Sequence, residues 1–103
     1  MEPVLSIVEV LHRYIVNLNM DEIRKQISTI DALIIALLGK RMKFTKKIGK
    51  LKKKAGLAIW DKNREMRLRK IYKAIGKKDG LSEEFIDKLF DVIFDESRRI
   101  QQK

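Results

Sequence analysis

The sequence predicts an all-α protein of three helices, one of them very long, and three observations carry that expectation. Apolar residues recur at helical spacing along the chain. The 103 residues include one proline, so little interrupts a helix once it has begun. Hydrophobic residues make up 45% and charged residues 37%, with 7% aromatic, a mixture suited to amphipathic helices rather than to a turn-rich β-sandwich. A chain this short folds around one modest core.

The elements follow in order. Val4, Ile7, Val8, Leu11, Tyr14, Ile15 and Leu18 fall at helical spacing, so residues 1–19 form an N-terminal extension, either a separate amphipathic helix or a lengthening of the next one. Asn19 with Glu22 three residues later reads as a capping-box variant that opens the long helix. Nothing stops that helix before Ala55-Gly56, which makes it about 35 residues or roughly 50 Å long. Such a helix cannot bury its apolar stripe against its own short chain, and a second copy is the simplest partner. Residues 55–60, AGLAIW, connect to the second helix, with Trp60 expected to cover the core. Asp61 caps the second helix, which Asp79-Gly80 ends after about Lys78. Ser82 caps the third, with Glu83 and Glu84 in its first turn where the helix dipole favours acids.

Composition removes several classes of function. There is no cysteine, which excludes disulfides and thiolate metal sites, and His12 alone cannot build a metal site. No metal and no cofactor are expected. Glu2 stands where a signal peptide carries positive charge, and no apolar run approaches the roughly 20 residues of a membrane span. The expectation is a soluble, cytoplasmic protein.

The +10 net charge is concentrated in one place. Residues 40–54 hold nine of the 24 Lys and Arg, and the other fifteen nearly balance the 14 acids. At about 100° per residue, Ile30, Ile34, Leu37, Ile48 and Ala55 lie within roughly 40° of Arg41, and Lys52 within about 20° of it. Lys43, Lys46, Lys47, Lys50, Lys53 and Lys54 lie on the opposite half, with Lys40 at its edge. The basic block is therefore a solvated lysine coat plus two inward cations. Inward cations need either acidic partners on another helix or a cavity that receives an anion. Ser97 and Gln101 share the third helix's stripe with Ile86, Phe90, Ile93 and Phe94. Four polar residues on otherwise apolar stripes favour a polar pocket inside a helical bundle.

Several motifs then line up in order: Arg24 in IRKQISTID, Arg41 in LLGKRM, Lys52 in KIGKLK, Asp61, Arg64 and Glu65 in DKNRE, and Ser97 with Gln101 in DESRRIQQ. In identity, order and spacing, residues 20–103 resemble the all-helical class of chorismate mutases, in particular its small bacterial domain. The resemblance implies an intertwined homodimer whose two active sites each take residues from both chains. Arg24 and Lys52 are 28 residues apart, about 42 Å along one helix, so if both serve one site Arg24 comes from the other protomer. The implied reaction is the pericyclic rearrangement of chorismate to prephenate in the shikimate pathway of aromatic amino-acid biosynthesis, which needs no nucleophile, base or metal. By the same resemblance, Arg24 and Arg41 hold the substrate carboxylates, Arg64 adds positive potential, and Ser97 contacts a carboxylate. Lys52 and Gln101 donate to the ether oxygen, while Glu65, helped by Asp61 or its backbone, accepts from the ring hydroxyl. The length leaves no room for an attached dehydratase or dehydrogenase, so a free-standing mutase is expected.

Two other readings stand beside this one. Isochorismate-pyruvate lyase shares the fold and much of the cationic pocket, but DKNRE favours the mutase. A basic helical nucleic-acid binder would use the lysine coat and a pI near 10.0. No recognised nucleic-acid module and few aromatic stacking positions are present, so neither nucleic acid nor membrane is an expected partner.

Overall fold

The computed structural model describes residues 6–103. Val4 and the rest of residues 1–5 of the expected N-terminal helix lie outside the described residues. Within them the protein is all-α and three-helical: α1 (Ile7–Ala55), α2 (Lys62–Lys78) and α3 (Glu83–Gln102), with no strand among the described residues. The chain divides into two structural units, one of residues up to Leu38 and one of Gly39–Lys103.

The long helix corrects one expectation. It begins at Ile7 rather than near residue 20 and has 49 residues, so Asn19 and Glu22 sit inside it and cap nothing. The cap is Ser6, whose Oγ accepts from the Glu9 amide at 3.1 Å while its carbonyl accepts from Val10 at 3.0 Å. Ser6-x-x-Glu9 has the sequence of a capping box, with the first half of its hydrogen bonding formed. The extension is thus a lengthening of α1.

α1 stops where a left-handed residue is required. Gly56 takes φ 67°, its amide reaches Lys53 O at 3.3 Å, and the Leu57 amide reaches Lys52 O at 2.9 Å. This is the paired 5→2 and 6→1 pattern that satisfies the last carbonyls of a helix. α2 ends the same way around Gly80, with φ 78° and the Leu81 amide on Gly76 O at 2.8 Å. Its start is the expected one: Asp61 Oδ1 accepts from the Arg64 amide at 3.0 Å. Ser82 Oγ likewise accepts from the Phe85 amide at 3.1 Å and opens α3.

In the unit of residues 39–103, α2 and α3 pack through aromatic and ionic contacts. Tyr72 and Phe90 have ring centroids 4.6 Å apart, and Phe90 and Phe94 5.4 Å. Arg69 lies over the Phe94 ring at 5.2 Å and pairs with Asp91 at 2.6 Å, while Lys73 reaches Asp87 at 3.4 Å. Ile86, Ile93 and Phe94 are its buried apolar residues. Two glycines set how closely the helices approach. A Cβ at Gly76 would lie 2.7 Å from Ile86 Cγ1, and one at Gly49 2.8 Å from the Gln101 backbone Cα. Gly49 therefore brings the end of α1 against the end of α3, which places Gln101 beside the cations of α1.

Candidate active site

The unit of residues 39–103 contains a pocket of about 300 Å³. α1 contributes Arg41, Ile48 and Lys52, α2 with its N-cap contributes Asp61, Arg64, Glu65 and Tyr72, and α3 contributes Phe94, Ser97, Arg98 and Gln101. All the sequence-predicted site residues except Arg24 line it. Arg24 belongs to the other unit, where it is exposed beside Asp21, Glu22 and Lys25.

Helix geometry explains why these side chains meet. Arg41 and Lys52 are eleven residues apart, three turns, and so share one face of α1. Ser97 and Gln101 are one turn apart on the buried face of α3, at 6% and 9% exposure. The two faces meet through direct hydrogen bonds. Arg41 Nη1 donates to Ser97 Oγ, and the Ser97 hydroxyl donates in turn to Ile93 O at 2.7 Å. Lys52 Nζ donates to Gln101 Oε1 and to Ile59 O, both at 2.8 Å. An ammonium has no acceptor, so Lys52 fixes the amide with its oxygen toward Nζ and leaves the Gln101 NH₂ free to donate.

These contacts give the inward cations neutral partners within the chain. Among the described residues neither Arg41, Lys52 nor Arg64 has a carboxylate at ion-pair distance; Arg41 and Lys52 are held by neutral oxygens. Their charge is oriented but uncompensated. Burial pushes the Arg41 guanidinium below its ordinary value; Tyr72 opposes that shift and neighbouring Arg64 adds to it. A guanidinium stays charged in proteins even so. The lining holds four cations against the carboxylates of Asp61 and Glu65. The result is a small pocket of net charge +2, with apolar walls at Ile48, Tyr72 and Phe94 and an amide donor, a lining whose chemistry suits a small anion.

The acidic side holds a residue the sequence reading missed. Arg98 Nη1 donates to both Glu65 oxygens, at 2.6 and 2.7 Å, and that bond raises the Arg98 pKa. Its guanidinium also lies over the Trp60 ring at 4.9 Å, and Lys62 approaches the same ring at 4.3 Å. Trp60 therefore does not cover a core, as the sequence suggested. It is 51% exposed and acts as a plate for two cations. Helical spacing does not single out Arg98, because it lies about 100° from Ser97, off the apolar stripe; its adjacency to Ser97 was the one available signal. Ile59 was also missed, because it contributes a backbone carbonyl that no side-chain pattern reveals.

Fold and pocket together define a class: an all-helical protein with a small pocket lined by guanidinium, ammonium and amide donors. The comparisons with known proteins make that class specific. The family profile described as chorismate mutase type II matches residues 23–102. The chain belongs to the chorismate mutase type II family. Residues of this chain are 38% identical over 80 positions to a bifunctional chorismate mutase/prephenate dehydratase of Buchnera aphidicola subsp. Schizaphis graminum, covering 78% of this chain and 21% of that protein. A protein of the same description from Buchnera aphidicola subsp. Acyrthosiphon pisum is 36% identical over 80 residues, with the same coverage. The chain thus spans about a fifth of the length of the curated relatives it matches.

Proposed function

We propose that this protein is a chorismate mutase, converting chorismate to prephenate in aromatic amino-acid biosynthesis. The observation that carries the reading is the set of uncompensated cations, Arg41, Lys52 and Arg64, lining one small pocket with the free Gln101 amide. It sits within the segment matched by the family profile. The rearrangement is unimolecular and pericyclic: the ether C–O bond breaks as a C–C bond forms, with no covalent enzyme intermediate. A protein accelerates such a step by holding the dianion in its reactive conformer and by stabilising charge that develops on the ether oxygen.

Arg41 binds one substrate carboxylate, helped by Ser97, and a guanidinium fork suits that task. Lys52 and Gln101 donate to the ether oxygen. Their mutual hydrogen bond supports this role, since it presents the remaining ammonium and amide protons together. Arg64 adds positive potential, and Glu65, with the Asp61 end of α2, accepts from the ring hydroxyl.

The active enzyme is a homodimer, intertwined through α1, in which Arg24 of one protomer completes the pocket of the other by binding the second carboxylate. Ile23, Ile27, Ile30 and Ile34, each at least half exposed on the stretch of α1 that carries Arg24, support that assembly. No helix among the described residues is long and apolar enough to cross a membrane, and the enzyme works in the cytoplasm. The deciding experiment adds purified protein to chorismate, follows the loss of its absorbance and identifies the product. Prephenate is expected. Release of pyruvate from isochorismate without chorismate turnover would replace this reading with the lyase.

A further inference from the structure

Arg98 is the one cation of the pocket whose charge is already engaged, and its surroundings are specific. One of its nitrogens bonds both oxygens of Glu65. A face of its guanidinium rests on Trp60, and Asp95 Oδ1 lies 3.5 Å from its other terminal nitrogen. Both members of the pair are largely shielded, with side chains 23% and 19% exposed. A glutamate on a helix has three rotatable bonds and sweeps a wide arc unless it is tied down. Here the tie is charge-assisted and its far end is clamped by an aromatic plate, so the carboxylate has a fixed position on the pocket wall. A carboxylate has about four acceptor sites, and Arg98 occupies one on each oxygen. Glu65 can still accept a hydroxyl from a ligand.

We propose that Arg98, seated on Trp60, is a positioning residue that holds Glu65 as an oriented hydrogen-bond acceptor for the hydroxyl of the bound dianion. The inference rests on the chorismate mutase reading and extends it from the residues that meet substrate to the pair that aims one of them. It also gives the exposed Trp60 a role. A tryptophan under Arg98 stacks on the guanidinium and restricts its rotamers, which an aliphatic residue there cannot do.

A mutant cycle read by steady-state kinetics on chorismate separates positioning from direct contact or simple folding support. Arg98→Met keeps the length of the stem and removes the fork. Its kcat falls about tenfold with KM changing less than about threefold, as expected when the carboxylate remains to bind the hydroxyl but no longer holds it aligned for the transition state. Arg98→Lys recovers part of that loss. In a Glu65→Gln background the same Arg98→Met change alters kcat by less than about twofold, because nothing remains to be positioned. Trp60→Leu, at an exposed position that leaves the helices intact, gives a smaller loss that also disappears with Glu65→Gln. An Arg98→Met effect of equal size in both backgrounds would show that Arg98 acts on substrate or fold directly, and would overturn the proposal. So would full activity in Arg98→Met. Wild-type protein that leaves chorismate unchanged would instead remove the reading of the site, and this proposal with it.

Discussion

The two units carry the same kind of helical stripe with opposite fates. In the first, Ile23, Ile27, Ile30 and Ile34 recur at spacings of four, three and four, and each is at least half exposed. In the second, Ile86, Ile93, Phe94, Ser97 and Gln101 follow the same period and are all buried. Among the described residues, the first unit is a stretch of one helix with no second element in the unit. The second has three helical segments, and Gly49 and Gly76 let them approach closely. Periodicity therefore states which face of a helix avoids water, while burial depends on what the rest of the chain can bring to that face. Four branched residues exposed on one stripe form the seam of the proposed dimer.

The largest expected effect breaks the comparison at the first unit. Ile30→Asp places a charge in the proposed seam and should convert the dimer to monomer by sedimentation, with turnover lost as well. A mixing experiment sharpens the same point. If Arg24 serves the other protomer's pocket, Arg24→Ala and Lys52→Ala chains are each inactive alone but complement when refolded together. Random pairing restores about a quarter of wild-type activity, because half the dimers are mixed and each has one intact site. Next in size, Lys52→Ala or Arg41→Ala should lose at least about 10²–10³ in kcat/KM, the usual cost of removing a preorganised donor; a folded mutant of near-full activity would end their assignment.

Two smaller effects probe the second unit. Gln101→Glu replaces a donor that works at any ordinary pH with one that donates only when protonated. The Lys52 ammonium beside it favours the ionised carboxylate. Turnover of that variant should fall as pH rises past the carboxyl's pKa, and a flat pH–rate profile would count against Gln101 as an ether-oxygen donor. Gly49→Ala forces a methyl to 2.8 Å from the Gln101 Cα. Overpacking of that kind costs about 1–3 kcal/mol despite the better helix propensity of alanine. Each kcal/mol lowers the melting midpoint of such a domain by roughly 4–8 °C. An unchanged midpoint would show that the two helices separate freely.

How much was legible follows from how local each signal is. Asp61 and Ser82 were readable as caps because each satisfies amides three residues away within its own turn. Asn19 with Glu22 has similar chemistry and misled for a physical reason. No Gly or Pro lies nearby to break the backbone, and extending an existing helix costs far less than ending it and nucleating another. Ser6, just before the helical run, is where the cap acts. The inward faces of Arg41, Lys52, Ser97 and Gln101 were legible from angle alone. The partners of those residues were not. That Arg41 meets Ser97 and Lys52 meets Gln101, rather than any carboxylate, depends on which helices touch and at what height.

By itself the sequence determined the three helices, two of their starts, their stops at Gly56 and Gly80, and the sorting of a basic block into a coat and two inward cations. Each of these depends on residues within a turn or two of one another, where backbone geometry leaves few choices. Tertiary structure alone decided that, among the described residues, Arg41 and Lys52 meet neutral oxygens rather than carboxylates, that Gln101 lines the pocket, and that Arg98 joins Glu65 to Trp60. These are contacts between segments 30 to 60 residues apart in the chain. Their geometry is set by how closely glycine lets two helices approach, a quantity with no period in the sequence.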